Sequence, residues 1–308
     1  MTVHSGRVPE FSRINSGDFA ARGRPPQGAP ARPDYRRSAG VLGAQEREPA
    51  VTREGRRPGA RTVTTSSKKA AGQDYDAGPF VPQRGGLPTL RRAAAGCEGC
   101  PLFRDATQTV FGAGASSARI VIVGEQPGDQ EDRRGEPFVG PAGRLLREAL
   151  GEAGIEERSA YFTNAVKHFK FEIAARGKRR IHKAPSLREM SACRPWLAAE
   201  LRKVDPELVM ALGATAGKAV LGTSFKVSQQ RGLLLPMPAW DALGHSDASG
   251  ADGIPVREAA AHGCVVATIH PSAVLRADDR EAAYRGLLSD LRVAAEVLRS
   301  GAERAAAD

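Results

Sequence analysis

The sequence predicts an α/β fold, a three-layer α/β/α sandwich around a central and mostly parallel sheet. Three observations predict it. Strand and helix patterns alternate from about residue 86 onward, and the strand patterns are short apolar runs of the kind that is buried on both faces. A loop rich in glycine and acidic residues follows the first of these runs, as in α/β proteins that bind ligands at a strand's carboxyl end. The expected strands are 119–123, 160–166, 207–212 and 264–269.

Helical patterns separate these strands. Ser186 followed by Glu189 is a capping-box signature and marks the start of one helix. Two long segments, 167–185 and 236–262, break the alternation and are expected to be loops, the first strongly basic and the second a variable insertion. The expected helices are 87–95, 141–153, 186–203, 214–221, 273–277 and 279–299.

The positive charge of the chain is uneven and suggests two regions. Residues 1–85 hold 15 basic and 8 acidic residues, whereas the remainder holds 30 and 27. The first region is rich in Arg, Pro, Gly and Ala without apolar periodicity, which predicts a disordered basic tail. Such a tail could add non-specific affinity for nucleic acid, or be a solvated extension without a specific role. Residues 86–308 are long enough for one well-buried domain.

No apolar run reaches membrane-spanning length, and the N-terminus lacks a signal-peptide core. We therefore expect a cytoplasmic protein that makes no membrane contact. Cysteines stay reduced in that compartment, so the four cysteines call for an explanation other than disulfides.

Residues 124–143, GEQPGDQEDRRGEPFVGPAG, form the most informative segment. Turn glycines let a backbone approach a ligand closely, and the start of the following helix offers free N–H groups. The carboxylates of Glu125, Asp129, Glu131 and Asp132 make the segment unlike a phosphate-binding loop. The segment therefore predicts a ligand site that uses acid chemistry as well as backbone donors.

The cysteines suggest a metal site. Cys97 and Cys100 form a CxxC motif, and Cys193 lies on a predicted helix. Cys264 opens a core strand and is expected to be a buried, inert thiol. Three candidate cysteine ligands leave the fourth position of a four-ligand site open, and His168 is the candidate for that position. An iron–sulfur cluster and a zinc ion bound by three cysteines and one histidine both fit this spacing.

Three further residues are candidates for chemistry. His270 follows the last predicted strand, at the same sheet edge as Glu125, where an imidazole could donate to a developing oxyanion. Phe138 lies in a glycine- and proline-rich loop and could stack on a planar ring. Asn164 lies near the end of the second strand, where its amide could pair with the donor–acceptor edge of a pyrimidine. Taken singly, His270 could instead cap a turn and Asn164 could satisfy turn backbone.

Eight segments occur in a fixed order: CEGCPL, TQTVFGAG, GEQPGDQED, GEPFVGPAG, TNAVK, ACRPWL, ALGATA and IHPSAVLR. In this set, which covers roughly residues 88–300, the chain resembles the uracil-DNA glycosylase superfamily, specifically its iron–sulfur members of the family 4 type. The resemblance implies an α/β/α sandwich that flips uracil out of DNA, because the glycosidic carbon cannot be reached within the base stack.

The resemblance also implies roles. Phe138 stacks on the uracil ring and Asn164 reads its edge. His270 stabilises the charge that grows on the uracil oxygen, and Glu125 places and deprotonates the nucleophile. The other residues implied to bind the substrate are Gln126, Gly128, Asp129 and Ser272.

Two departures from the hydrolytic family 4 pattern resemble the UdgX subgroup, which becomes covalently fixed to uracil-containing DNA. His168 stands where the hydrolytic members usually have cysteine, and the chain carries the extra segment GKRRIHK at 177–183. This resemblance implies that His182 attacks C1′ of the deoxyribose. It also implies that His168 completes a 4Fe-4S cluster with the three candidate cysteines. The cations implied to dock DNA phosphates are Lys178, Arg179 and Arg180.

Other interpretations stay open. His182 could merely contact DNA in an ordinary turnover glycosylase, or the chain could be a metal-stabilised nucleic-acid-binding domain with an inactive pocket. A dinucleotide-binding dehydrogenase is poorly supported, because the loop after the first strand is not GxGxxG. We expect the partner to be uracil-containing DNA, preferably single-stranded, and the protein to be a monomer.

Overall fold

The computed structural model describes residues 75–175, 177–245 and 253–306. It confirms the predicted fold class: a five-stranded sheet lies between two layers of helices, and two more strands form a separate hairpin. The strands of the described residues are β1 (Ile120–Gly124), β2 (Ala160–Asn164), β3 (Phe171–Ile173), β4 (Arg180–His182), β5 (Leu208–Leu212), β6 (Leu234–Pro236) and β7 (Cys264–Thr268).

The sheet has the strand order β2-β1-β5-β7-β6. Neighbouring strands are parallel except at the edge, where β6 runs antiparallel to β7. Gly124 pairs with Asn164 and Leu212 pairs with Thr268, so the parallel strands end at a common edge. Residues that follow these strands therefore meet at one place, where α/β proteins bind their ligands.

The helices cover both faces of the sheet because its central strands are apolar on both sides. In β1, Ile120 and Ile122 belong to one core and Val121 and Val123 to the other, all fully buried. The helices of the described residues are α1 (Leu87–Ala94), α2 (Asp129–Arg134), α3 (Pro141–Glu152), α4 (Leu187–Val204), α5 (Gly213–Leu221), α6 (Val227–Gln230), α7 (Val256–His262), α8 (Pro271–Arg276) and α9 (Arg280–Ala305). Helices α1, α4 and α5 pack on one face, and α3, α7, α8 and α9 on the other.

Most predicted elements are confirmed to within a few residues. The capping box is present: the Glu189 N–H donates to Ser186 Oγ, and the Ser186 N–H donates to Glu189 Oε2 at 2.6 Å. The prediction of a loop at 167–185 is wrong, since this segment contains β3 and β4. The predicted loop at 236–262 ends in helix α7, and its residues 246–252 lie outside the described residues.

The folded domain begins before residue 86. Ala77 is buried, and its N–H donates to the carbonyl of Ala192 on α4 at 2.9 Å. Tyr75 and Phe80 also pack against the core, which is why residues 75–85, assigned above to the tail, join the domain. The predicted disorder of residues 1–74 concerns residues outside those described.

The longest described helix, α9, is amphipathic, and no helix of the described ranges is long and apolar enough to cross a membrane.

Candidate active site

A cavity of about 580 Å³ opens at the carboxyl ends of the strands. It brings together every residue that the sequence analysis assigns to the base and the sugar, although these residues come from segments more than 140 positions apart in the chain. Its walls are Glu125, Gln126, Gly128, Asp129, Gln130, Glu131, Phe138, Gly140, Pro141, Ala142, Asn164, His182, His270, Ser272 and Arg276.

Phe138 and Asn164 close over Gly124 at the end of β1. A Cβ atom at Gly124 would lie 2.3 Å from Asn164 Oδ1 and 2.7 Å from Phe138 Cζ, so only glycine fits there. Phe138 has φ of 58°, a left-handed conformation that is strained for a bulky residue. Its carbonyl accepts a hydrogen bond from Arg147 Nη1 at 2.6 Å, which helps to hold it. An aromatic ring and a buried amide thus share one corner of the cavity, which suits a flat, hydrogen-bonding ring.

His270 is held as a neutral imidazole. Its Nδ1 accepts the backbone N–H of Ser272 at 3.1 Å, so the neutral ring carries its hydrogen on Nε2. Burial, aided by the nearby His182 and Arg276, lowers the pKa of His270 to about 4. The side chain therefore offers a hydrogen-bond donor without a positive charge at neutral pH.

Glu125 and His182 form the second polar pair of the cavity. His182 Nε2 lies 3.3 Å from Glu125 Oε1. The other oxygen, Oε2, accepts a short hydrogen bond from the hydroxyl of Thr215 on α5, so the carboxylate is fixed in orientation. Burial lowers the pKa of His182, with Arg276 acting in the same direction and Glu125 against it. An uncharged imidazole therefore lies beside an anchored carboxylate.

The hairpin of β3 and β4 carries His182 into the cavity. Its residues Phe171 and His182 pair across the two strands, and Phe171 stacks on Phe169 with the ring centres 5.1 Å apart. The Arg180 guanidinium lies over both phenylalanine rings, and only 11% of this side chain is exposed. The hairpin is therefore packed onto the domain by its own inner face.

Arg180 also makes ion pairs with two carboxylates of α2. It lies 2.5 Å from Asp129 Oδ1 and 2.5 Å from Asp132 Oδ2, and the Asp132 side chain is fully buried. These ion pairs engage the guanidinium of Arg180, whereas Lys178 and Arg179 are exposed. The contact of Arg180 with a DNA phosphate remains a prediction.

Gln126 ties the base of the hairpin to the end of β1. Its amide Nε2 donates to the carbonyls of Lys170 and Lys183 at 3.1 and 3.0 Å, and its Oε1 accepts from the Lys170 N–H at 3.2 Å. Because these bonds occupy the amide, Gln126 orients the hairpin while it also lines the cavity. Its predicted role as a substrate-binding residue remains a prediction.

Three of the four cysteines are buried together in one core. Cys97, Cys100 and Cys193 belong to the core beneath α1 and α4, whereas Cys264 lies in the core on the other face of the sheet. The indole N–H of Trp196 donates to Cys97 Sγ at 3.2 Å, and the Lys167 N–H donates to Cys193 Sγ at 3.3 Å.

Burial raises the pKa of two of these thiols, those of Cys100 and Cys193. It raises the pKa of Cys193 to about 12, with the charges of Cys100 and Cys97 adding to the rise, and it raises the pKa of Cys100. Thiols so buried are poor nucleophiles unless a cation stabilises the thiolate.

His168 is buried and follows Lys167, whose N–H contacts Cys193, but its own side chain has another partner. Its Nε2 lies 2.8 Å from the hydroxyl of Thr109, and burial lowers its pKa to about 4. Within the ranges that the structure describes, no group of three or more His, Cys, Asp or Glu side chains converges on a point where one metal ion could sit.

Two residues of the site were not identified from the sequence. Thr215 belongs to the segment ALGATA at the start of α5, and its hydroxyl anchors Glu125. Arg276 ends α8 and lines the cavity, where its charge lowers the pKa of both histidines. Position after a strand end was a usable signal for Thr215, but Arg276 is the last residue of a helix and carried no signal of its own.

Fold and site together define a doubly wound α/β protein with a cavity lined largely by polar side chains at the carboxyl ends of its strands. Residues 111–292 match the model of the Uracil DNA glycosylase superfamily. This match covers more than half of the chain, and the chain belongs to that superfamily.

At least five relatives carry the name Type-4 uracil-DNA glycosylase, including the following three. The Thermotoga maritima protein is 41% identical over 120 residues, which cover 39% of this chain and 58% of the relative. The Pyrobaculum aerophilum protein is 31% identical over 190 residues, covering 62% and 85%. The Archaeoglobus fulgidus protein is 34% identical over 134 residues, covering 44% and 63%. The matched part is less than two thirds of the first and third relatives.

Proposed function

We propose that this protein excises uracil from DNA after flipping the nucleotide into the cavity. The observation that carries the proposal is the corner where Phe138 and Asn164 meet over Gly124, beside Glu125 and an uncharged His270. The names of the type-4 relatives support the same activity.

Each side chain has a chemical task in this reaction. Phe138 stacks on the flipped ring and Asn164 pairs with its polar edge. As the bond between C1′ and N1 breaks, uracil leaves as an anion, and the Nε2–H of His270 donates to its oxygen. The sugar becomes an oxocarbenium cation, which the carboxylate of Glu125 stabilises.

His182 captures that cation in the proposed reaction. A nitrogen of the neutral imidazole forms a bond to C1′, and the proton that the ring loses passes to Glu125, 3.3 Å away. A group held in place reacts before water because its effective concentration is very high. The product is an N-alkylated imidazole that is stable to water, so each molecule acts once. The hairpin contacts of Arg180 and Gln126 support this assignment, because they fix the strand that ends in His182.

The proposal is tested by mixing the protein with a uracil-containing single-stranded oligonucleotide. We expect one equivalent of free uracil and a protein–DNA species that survives boiling in detergent. Uracil release over many turnovers without such a species would contradict the covalent step and leave the glycosylase activity standing. A thymine-containing oligonucleotide is the matched control. Lys178 and Arg179 are proposed to contact phosphates. The proposed preference for single-stranded DNA is tested by running the same assay on duplex DNA.

Adduct formation is expected to depend on pH through His182. The neutral ring is the nucleophile, and its pKa lies below the usual 6.5. The rate should therefore be greatest at pH 7 to 8 and fall to half of its maximum only at a pH below 6.5, as the ring gains a proton. Single-turnover rates at saturating DNA measure this profile. A midpoint above pH 6.5 would mean that His182 is protonated more readily than an ordinary imidazole in the DNA complex, and it would contradict the assignment.

We further propose that Cys97, Cys100, Cys193 and His168 hold a 4Fe-4S cluster. The donor set fits, because three soft sulfur ligands are buried together and two N–H groups already point at their sulfur atoms. A cluster is wider than one ion, so its ligands need not converge on a single point. When bound, it would stabilise the thiolates that burial alone disfavours and tie the CxxC segment to α4.

The cluster proposal predicts a brown protein that contains iron and sulfide. Cys193→Ser is expected to lower the iron content by at least half and to lower the melting temperature, because a buried ligand is lost. Cys264→Ala should leave the iron content unchanged, since this thiol lies in the other core. Elemental analysis and visible absorbance measure both. A colourless protein that contains zinc would contradict the proposal.

A further inference from the structure

A buried ion pair lies beside the end of β2. The side chains of Lys167 and Glu200 are 1% and 0% exposed, and the ammonium donates a short hydrogen bond to the carboxylate. Moving two charges out of water costs free energy that their attraction often fails to recover, and apolar residues of similar size are often as stabilising. Stability alone is therefore a weak reason for an ion pair at this place.

The ammonium of Lys167 holds the end of β2 with directed hydrogen bonds. Its three hydrogens have three acceptors: Glu200 Oε2, the hydroxyl of Thr163 at 2.7 Å and the carbonyl of Asn164 at 2.7 Å. An apolar side chain could fill the same space but could not make these bonds. The segment from Asn164 to Lys167 is thereby closed into a loop, because its last side chain binds its first carbonyl.

Glu200 ties this loop to helix α4, on which it lies. Its Oε1 accepts hydrogen bonds from the hydroxyls of Tyr161 and Thr163 and from the Gly112 N–H, each at 3.0 Å. A Cβ atom at Gly112 would overlap this oxygen, so a larger residue there would displace the carboxylate. The carboxylate therefore holds the ammonium in one place relative to β2 and α4.

The ion pair lies on the opposite face of the sheet from the Asn164 side chain. Tyr161 belongs to the core beneath α4, whereas Phe162 belongs to the core on the other face. Because side chains alternate along a strand, Thr163 lies on the Tyr161 side and Asn164 on the Phe162 side. The ion pair contacts Asn164 through its backbone carbonyl, and its burial keeps it from contact with DNA.

We propose that Lys167 and Glu200 are positioning residues, which together hold the backbone of Asn164 where its amide can pair with the edge of uracil. The role rests on the proposed function, because it takes uracil in the cavity as the substrate. The carbonyl that the ammonium binds lies where β2 ends, so a shift there moves the amide relative to the base. A misplacement of about 1 Å can cost roughly a hundredfold in rate.

The test removes both charges together, so that no unpaired charge stays buried. Lys167→Met/Glu200→Gln preserves the approximate length of both side chains, and the glutamine carbonyl can still accept the Gly112 N–H and the Tyr161 hydroxyl. Single-turnover rates of uracil release are measured against the concentration of a uracil-containing single-stranded oligonucleotide. We expect the plateau rate to fall about a hundredfold. The half-saturating DNA concentration should stay within about twofold of wild type, because exposed cations that contact phosphates dominate DNA affinity.

The dependence on Asn164 separates a positioning role from a structural one. In an Asn164→Ala background the double substitution should lower the plateau rate by less than about threefold, because the side chain that it misplaces is already absent. Equal factors in the two backgrounds would overturn the inference. A double variant with a lower melting temperature but the wild-type plateau rate would overturn it as well.

Two controls exclude indirect effects. Lys167→Met keeps the backbone N–H that contacts Cys193, so the double variant should hold as much iron as wild type. Loss of iron together with the rate would assign the effect to the proposed cluster and overturn the inference. Arg119→Met breaks an ion pair with Glu207 and a contact with the Leu298 carbonyl, at the amino ends of β1 and β5. It should lower the melting temperature and leave the plateau rate unchanged.

Thr163→Val is the milder variant if the double substitution fails to fold. It removes one acceptor of the ammonium and leaves the ion pair in place. We expect a rate loss of about tenfold, roughly the effect of one hydrogen bond to a charged group, and this loss should also disappear with Asn164→Ala. A wild-type protein that releases no uracil would refute the proposed function. An active wild type with additive effects would refute only the positioning role.

Discussion

His182→Ala is expected to abolish the protein–DNA species that survives boiling, while uracil is still released. The variant keeps Phe138, Asn164 and His270, which are proposed to bind the base and stabilise its departure, but it lacks the imidazole that is proposed to form the bond to C1′. Water then captures the sugar cation, and the protein can turn over. Loss of the adduct should be complete within the detection limit of a denaturing gel, because an oriented nucleophile competes with water at an effective concentration of about 10⁵ M or more. Chromatography of free uracil measures the remaining activity.

The control for this change is His262→Ala, which removes an exposed histidine at the end of α7. It should form the adduct at the wild-type rate. An adduct that persists in His182→Ala would show that another nucleophile attacks. Loss of both adduct and uracil release, with the melting temperature unchanged, would show instead that His182 is needed for the base to leave.

The sheet and most of the site were predictable because their signals are local. Each parallel strand is a short apolar run, and the residues after it must meet at one edge, which is why the sequence alone groups Glu125, Asn164 and His270. The resemblance then supplied His182, whose sequence context alone would indicate a surface histidine. Its distance of 3.3 Å from Glu125 is the structural fact that fits this assignment.

The hairpin was not predictable for a physical reason. β3 and β4 have three residues each and no clean alternation, so their pairing depends on contacts that are distant in sequence. Arg180 shows this most clearly, since a cation within GKRRIHK is expected on the surface. Its partners Asp129 and Asp132 lie on α2, 51 and 48 positions earlier, and a single sequence gives no sign of that pairing. Gln126 likewise acts through backbone carbonyls, which carry no residue-specific signal.

Glu125→Gln is expected to slow uracil release and adduct formation together, by about 10² to 10⁴-fold. Glutamine has the same shape and its carbonyl can still accept the Thr215 hydroxyl, so the side chain should keep its place. It carries no negative charge to stabilise the sugar cation, and it cannot take the proton that His182 loses. Because the adduct forms only after the base departs, both rates should fall by the same factor. Single-turnover measurements at saturating DNA give the two rates in one experiment.

The comparison with Glu172→Gln makes this result specific. Glu172 is an exposed carboxylate on the same hairpin, paired with Lys183, so its loss changes the local charge without touching the cavity. It should leave both rates within about twofold of wild type, in line with the small energies of exposed ion pairs. If Glu125→Gln instead removed only the adduct and left uracil release intact, the carboxylate would be needed only for the attack by His182. Stabilisation of the sugar cation would then rest on other groups of the cavity.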